Sequence, residues 1–327
     1  MRTMFQWMFS TCLLLLNPSA QAQPASTYPS RPVKILLPFA VGSSLDPIAR
    51  MMAKNLQDGI GQAVIVESKS GAGGSVGLGI AAKSPSDGYT LVIGTASTHV
   101  IAPATRKSLP YDVNKDFIPL ATTGPFPTLV VVNAKLPFRT LAELVTYARA
   151  NPGKLNYGSS GLGTAPHIGG EIFAAAAGVK LVHVPYRGSG LAMTDLIAGQ
   201  VDMVFDSPTN TSAQIAAGTV RPLAVMGPTR WPGLPNIPTT TELDYPKAQL
   251  LNWPAIFAIG GTPAPIIEKL TEALRKGFGQ RETIDFFSGI DVPMNPLYGS
   301  EFAAMIRENQ RTLAAALKDA QLPMLQD

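Results

Sequence analysis

Apolar positions along the chain alternate between two periods, and the alternation marks out strands and helices in turn. Short apolar runs at residues 33–37, 64–67, 90–93, 129–133, 181–184, 202–205, 222–226 and 253–259 read as strands. Helical spacing separates most of them: Ile48, Met52 and Leu56 share one face, and residues 165–177 and 191–198 continue the pattern. Helix signals punctuate it. Asp46-Pro47 is a helix start, Thr140 and Glu143 form a capping box, and Asn151-Pro152-Gly153 is a stop. Three amphipathic helices, at 265–278, 282–288 and 298–319, close the chain. Strand–helix alternation implies parallel sheets with the loops gathered at the strands' C-terminal ends.

The alternation breaks around residues 117–123, restarts for about 130 residues, and breaks again in the proline-rich stretch 231–246. The apolar run 253–259 is then placed as a return crossing to the first unit. Two α/β units follow from this, one interrupted by the other: residues 28–120 with 256–327, and residues 121–255.

Three loops leave strand ends with unusual chemistry. Residues 158–164, Gly-Ser-Ser-Gly-Leu-Gly-Thr, lead into a helix with Thr164 suited to its N-cap and Pro166 in its first turn. The unpaired amides and positive dipole end of such a helix can hold a carboxylate without an arginine; an ordinary Gly/Ser turn remains the alternative. Residues 38–47 repeat the arrangement before the helix from Asp46, and Ser97-Thr98-His99 forms a third polar cluster. Enzyme chemistry has little to stand on. The chain holds three histidines, and neither G-x-x-x-x-G-K-[ST] nor a His-x-x-x-His metal motif occurs. His183 reads as a packed strand residue, while His167 and Asp206 stay open between ligand contact and structural support. The composition, 46% hydrophobic and 15% charged, is globular, and a net charge of +4 without basic runs argues against nucleic acid.

The N-terminus reads as a cleaved export signal: Arg2, an apolar stretch from Phe5 to Leu16, and the small-x-small site Ala20-Gln21-Ala22. Cleavage after Ala22 removes Cys12, the sole cysteine, so the exported product has no disulfide. No later stretch reaches the roughly 20 apolar residues of a membrane span.

The chain resembles the Bug-type solute-binding proteins of tripartite tricarboxylate transport systems. The resemblance rests on residues 38–46, 68–77, 87–94, 97–99, 157–171, 183–188, Gly199-Gln200-Val201-Asp202, and 234–242 with its LPNIPTTTE. It covers nearly the whole mature chain in order. The resemblance implies a two-lobed periplasmic binding protein of type II-like α/β fold, each lobe a mostly parallel sheet flanked by helices, with the ligand cleft between them. It implies a small organic carboxylate as ligand, membrane transporter subunits as partners, a monomeric state, no cofactor and no catalysis. The ligand positions expected in the first lobe are Phe39, Gly42, Ser43, Ser44, Leu45 and Asp46, with Ser97, Thr98 and His99. In the second lobe they are Ser159, Ser160, Gly163, Thr164 and His167, with Arg187 and Asp206. The first loop departs from the family's usual pattern, with Ser43 in place of glycine and Leu45 in place of threonine, and Arg187 stands where lysine is frequent. An apolar Leu45 in the cleft would favour aromatic or aliphatic mono- or dicarboxylates over citrate-like or amino-acid ligands. Two alternatives remain at this point: an exported hydrolase or lyase using His167 or Asp206, and a sensor that reports ligand occupancy to a receptor.

Overall fold

The computed structural model describes residues 28–292, 294–320, 322, 324 and 325; the expected export signal lies outside them. The first run of chain forms β1 (Val33–Leu37), α1 (Leu45–Ile60), β2 (Val64–Ser68), α2 (Ser75–Ala81) and β3 (Thr90–Thr95). A π-helical turn at Ser97–Ile101 then leads into α3 (Ala102–Thr105) and β4 (Phe117–Thr122). The middle run starts with β5 (Phe126–Asn133), α4 (Leu141–Ala150), β6 (Asn156–Ser159) and α5 (Ala165–Ala177). It continues with β7 (Val182–Pro185), α6 (Ser189–Ala198), β8 (Met203–Asp206), α7 (Pro208–Ala216), β9 (Val220–Met226) and β10 (Leu251–Asn252). The last run is β11 (Pro254–Ile259), α8 (Ala264–Phe278), α9 (Arg281–Gly289), β12 (Leu297–Tyr298) and α10 (Gly299–Asp319).

Two sheets result. Lobe one carries the order β12-β4-β11-β3-β1-β2, and lobe two the order β10-β5-β8-β6-β7 with β9 also on β5. Both are mixed, a correction to the mostly parallel sheets expected from alternation. Only β3-β1-β2 and β8-β6-β7 run parallel; β4, β11 and β12 pair antiparallel, as does β5 with β8, β9 and β10. The reason is the crossings. The chain leaves lobe one through β4 and returns through β11, so these neighbours must run in opposite directions.

The two crossings are tied together. Thr122 Oγ1 donates to the Pro254 carbonyl at 2.8 Å, joining the outgoing strand to the returning one. Trp253, the residue between β10 and β11, is 1% exposed and donates its indole N–H to Asn309 of α10 at 3.2 Å. Burial of a side chain this large contributes several kcal/mol to holding the crossing.

Local signals explain most elements. All eight residues of β5 are buried, as a strand covered on both faces requires. Both halves of the capping box at α4 are formed: Thr140 Oγ1 accepts the Glu143 amide, and Glu143 accepts the Thr140 amide. Two expectations shift. The first helix begins at Leu45 with Ser44 at its N-cap, which puts Asp46 inside the first turn, where its side chain accepts the Gly42 amide at 3.1 Å. The loop expected at 94–99 is partly helical, since Ser97 to Ile101 continue directly into α3.

Candidate functional site

A cleft of about 1020 Å³ opens between the lobes, bordered by the loops that follow β1, β3, β6, β7 and β8. Loops after parallel strands collect at one end of each sheet, and the two ends face each other here. Among the expected positions, Phe39, Gly42, Ser43, Ser44, Leu45 and Ser97 line it from lobe one. Ser160, Thr164, Arg187 and Asp206 line it from lobe two.

Six expected positions do not line the cleft, and each has a structural partner. Asp46 accepts the Gly42 amide and pairs with Arg50 at 2.9 Å. Thr98 Oγ1 accepts the Thr95 amide and donates to the Thr95 carbonyl, closing the turn after β3. His99 is 1% exposed, stacked on Phe257 at 3.9 Å between ring centroids, and burial holds its imidazole down at about 3. Ser159 Oγ lies 2.6 Å from His183 Nε2 and accepts the Gly161 amide at 3.1 Å. The Gly163 amide donates to His167 Nδ1 at 3.1 Å, so the neutral His167 ring carries its proton on Nε2. His167 turns away from the cleft to line a smaller cavity of about 470 Å³ with Glu171, Leu317 and Leu325. Its ring stacks on His183 at 4.1 Å, and burial lowers both imidazoles to about 4.

Thr164 occupies the N-cap position of α5 without capping it: its hydroxyl donates to the Gly161 carbonyl at 2.6 Å. The first amide of α5, Ala165, donates instead to Ser97 Oγ at 3.0 Å, a contact from lobe one to lobe two. At α7 the Asp206 carboxylate accepts the Ser207 amide at 2.7 Å and the Asn210 side-chain amide at 2.9 Å. Burial pushes the Asp206 carboxyl upward, against the pull of those hydrogen bonds.

Sequence reasoning missed Arg106, Ser189, Thr209 and Asn210, all of which line the cleft. Thr209 and Asn210 follow the strand end at Asp206 and could have been found by extending the loop rule one turn into α7. Ser189 and Gly190 open α6 just past the turn at Arg187, where the reading stopped. Arg106 carries no local signal; it reaches the cleft from the end of α3.

Two α/β lobes joined by two crossings, with strand-end loops facing one cleft, define the architecture of a two-lobed solute-binding protein. Among the described residues no group of three or more His, Cys, Asp or Glu could hold a metal, and no helix is long and apolar enough to cross a membrane. Residues 48–320 match the family described as tripartite tricarboxylate transporter family receptor, and the chain belongs to that family of periplasmic binding proteins. It is 38% identical over 274 residues to a protein of Pseudomonas sp. strain P51, the UPF0065 protein in the tcbD-tcbE intergenic region, covering 84% of this chain and 81% of that one. R. palustris Rpa4515 with adipate superposes with a TM-score of 0.85 at 30% identity, covering 91% of this chain and all of that one. The periplasmic binding protein BugD gives 0.83 at 32% identity, over 90% and 99% of the two chains.

Proposed function

We propose that this protein, exported after cleavage behind Ala22, captures a small organic carboxylate in its interlobe cleft and delivers it to a tripartite tricarboxylate-type transporter. One observation carries the reading: the N-terminal ends of α1 from lobe one and of α5, α6 and α7 from lobe two all open on the same cleft. Each end directs the positive pole of its helix at that space, an arrangement suited to an anion. Adipate in the Rpa4515 structure is a ligand of the class expected. The hydrolase alternative finds little support, because His167 faces away from the cleft and Asp206 is held by Ser207 and Asn210.

The two lobes would close as bodies about residues 123–125 and Trp253, with ligand stabilising the closed form by touching both. Native mass spectrometry of protein purified from periplasm should reveal a co-purifying organic acid. Small-angle scattering should then show a more compact particle when that acid is restored to stripped protein. Turnover of the acid, or affinity for cations or sugars in its place, would end this reading.

A further inference from the structure

The helix ends around the cleft are unequal as anion sites. At α1 the first turn already holds Asp46, which accepts the Gly42 amide and pairs with Arg50. At α7 the carboxylate of Asp206 occupies the pole through Ser207 and Asn210. At α5 the Ala165 amide is taken by Ser97, Pro166 has none to offer, and the Gly161 and Gly163 amides go to Ser159 and His167.

The remaining end, at α6, is different. Its N-cap is Gly188, followed by Ser189, whose hydroxyl reaches the Asp206 carboxyl, and Gly190; its distinction lies in its backbone amides. Among the described residues, none of these three amides donates to a group outside the helix. A Cβ built on Gly188 or Gly190 would meet nothing within 4 Å, so a ligand has room to approach the backbone. Arg187, exposed and lining the cleft, adds a cation with no ion-pair partner among the described residues. The other cation of the cleft, Arg106, is engaged inside the protein and donates to the Ala72 carbonyl.

On the lobe-one side the cation lining the cleft is this engaged Arg106. The wall of lobe one presents Phe39, Val41, Leu45 and Ile48, with Trp253 at the crossing. Hydroxyls interrupt this apolar surface at Ser43, Ser44, Ser70, Thr95 and Ser97, and two of them lack a partner. Thr95 is 7% exposed, and its Oγ1, like the Oγ of Ser43, is buried with no hydrogen-bond partner among the described residues. Buried hydroxyls without partners are costly, and a ligand atom that meets them relieves the cost.

We propose that the ligand is an organic acid with a single carboxylate, an apolar body and an uncharged hydrogen-bonding far end. The carboxylate sits on the α6 N-terminus beside Arg187, the body lies along Phe39, Val41 and Leu45, and the far end meets Thr95 and Ser43. This rests on the carboxylate-capture reading and narrows it. A second carboxylate at the far end would be desolvated against neutral hydroxyls and apolar carbon, with Arg106 already engaged elsewhere, which is unfavourable.

Calorimetry with two matched pairs of acids tests it: 4-hydroxybenzoate against terephthalate, and 6-hydroxyhexanoate against adipate. The hydroxy acid of each pair should bind roughly tenfold or more tightly than its diacid. Gly190→Pro deletes one amide of the α6 end at a position where α5 itself carries Pro166, and Arg187→Gln removes the cation. Each should weaken the hydroxy acids roughly tenfold while leaving the melting temperature within a few degrees of the parent. Diacids binding as tightly as the hydroxy acids would overturn the single-carboxylate inference and leave carboxylate capture standing. Unchanged affinity in both variants would overturn α6 as the seat. Failure of all four acids to bind would count against carboxylate capture itself.

Discussion

Two turns of lobe two, β6 to α5 and β7 to α6, start from similar material and end in different chemistry. Both leave a parallel strand through glycine and serine and enter a helix at the cleft. In the first, Ser159, His167 and Ser97 supply acceptors that take up the amides of Gly161, Gly163 and Ala165. In the second, no acceptor outside the helix reaches the amides of Gly188, Ser189 and Gly190. Glycine-rich sequence lets a backbone approach a ligand, but nearby side-chain acceptors decide whether its amides remain available for one.

The largest expected difference between the two turns is steric. Gly170 in α5 lies against Tyr157, and a Cβ there would come within 2.4 Å of the ring. Tyr157 is fully buried, with its hydroxyl bonded to Glu171 at 2.6 Å, so the ring has little room to move. Gly170→Ala should therefore destabilise by about 1–3 kcal/mol in denaturant melts. Gly190→Ala in α6 meets nothing within 4 Å and should be neutral or stabilising by up to about 1 kcal/mol. Equal effects in the two variants would break the contrast between a packed turn and an open one.

A smaller effect follows from Ser97→Ala, which removes the acceptor of the Ala165 amide. Leaving that amide unpaired in a buried setting should cost about 1–2 kcal/mol. The same change frees an amide at the α5 end and should narrow the preference for hydroxy acids over diacids, because a second anion site becomes available. Lost stability with an unaltered preference would mean that the α5 end stays closed to ligand whatever its amides do.

Acid should act on the first turn more than on the second. His167 and His183 stack beneath the α5 loop, facing Tyr157, Ser159 and Glu171, and burial lowers both to about 4. An unfolded imidazole titrates near 6.5, so between about pH 6.5 and 4 the unfolded chain binds more protons than the folded one. Stability tied to these neutral rings is complete above that window and declines as pH falls through it. His183→Gln should flatten the fall in melting temperature across the window relative to the parent, whereas parallel curves would remove the imidazole pair as its source. Hydrogen exchange should show Gly163 losing protection with acid before any amide of α6 changes its rate.

Much of this fold could be read from the chain because its determinants are local. The capping box at Thr140 and Glu143 and the strand at β5 are written in residues a few positions apart. The sheets' mixed direction was not, since it depends on where a strand returns, not on what it contains. The cleft loops were legible as places, and ten of the sixteen expected ligand positions line the cleft. Their chemistry was less so. Ala165 and its acceptor Ser97 are 68 positions apart, and no pattern near Thr164 could announce that the helix end was taken. His167 was ambiguous for the same reason: its direction is set by stacking on His183 from a neighbouring strand.

The smallest expected effect concerns the wall opposite α6. Leu45, at the first position of α1, lines the cleft and also packs against the lobe-one core. These two roles predict different outcomes for Leu45→Thr. If the side chain meets the ligand body, shortening it removes one or two buried methylene equivalents, worth about 1 kcal/mol of binding to an apolar acid. The new hydroxyl would at the same time offer a partner to a hydroxyl-rich acid. Affinity for 4-hydroxybenzoate should then fall several-fold while that for citrate rises or holds, and the melting temperature should move little. If packing against the core dominates, the variant should melt lower and treat both acids as the parent does. Arg187→Gln provides the complementary case, because losing the cation should weaken both acids together. A Leu45→Thr variant that does the same would show that the apolar wall contributes affinity without selectivity, and that the difference between the lobes is one of charge alone.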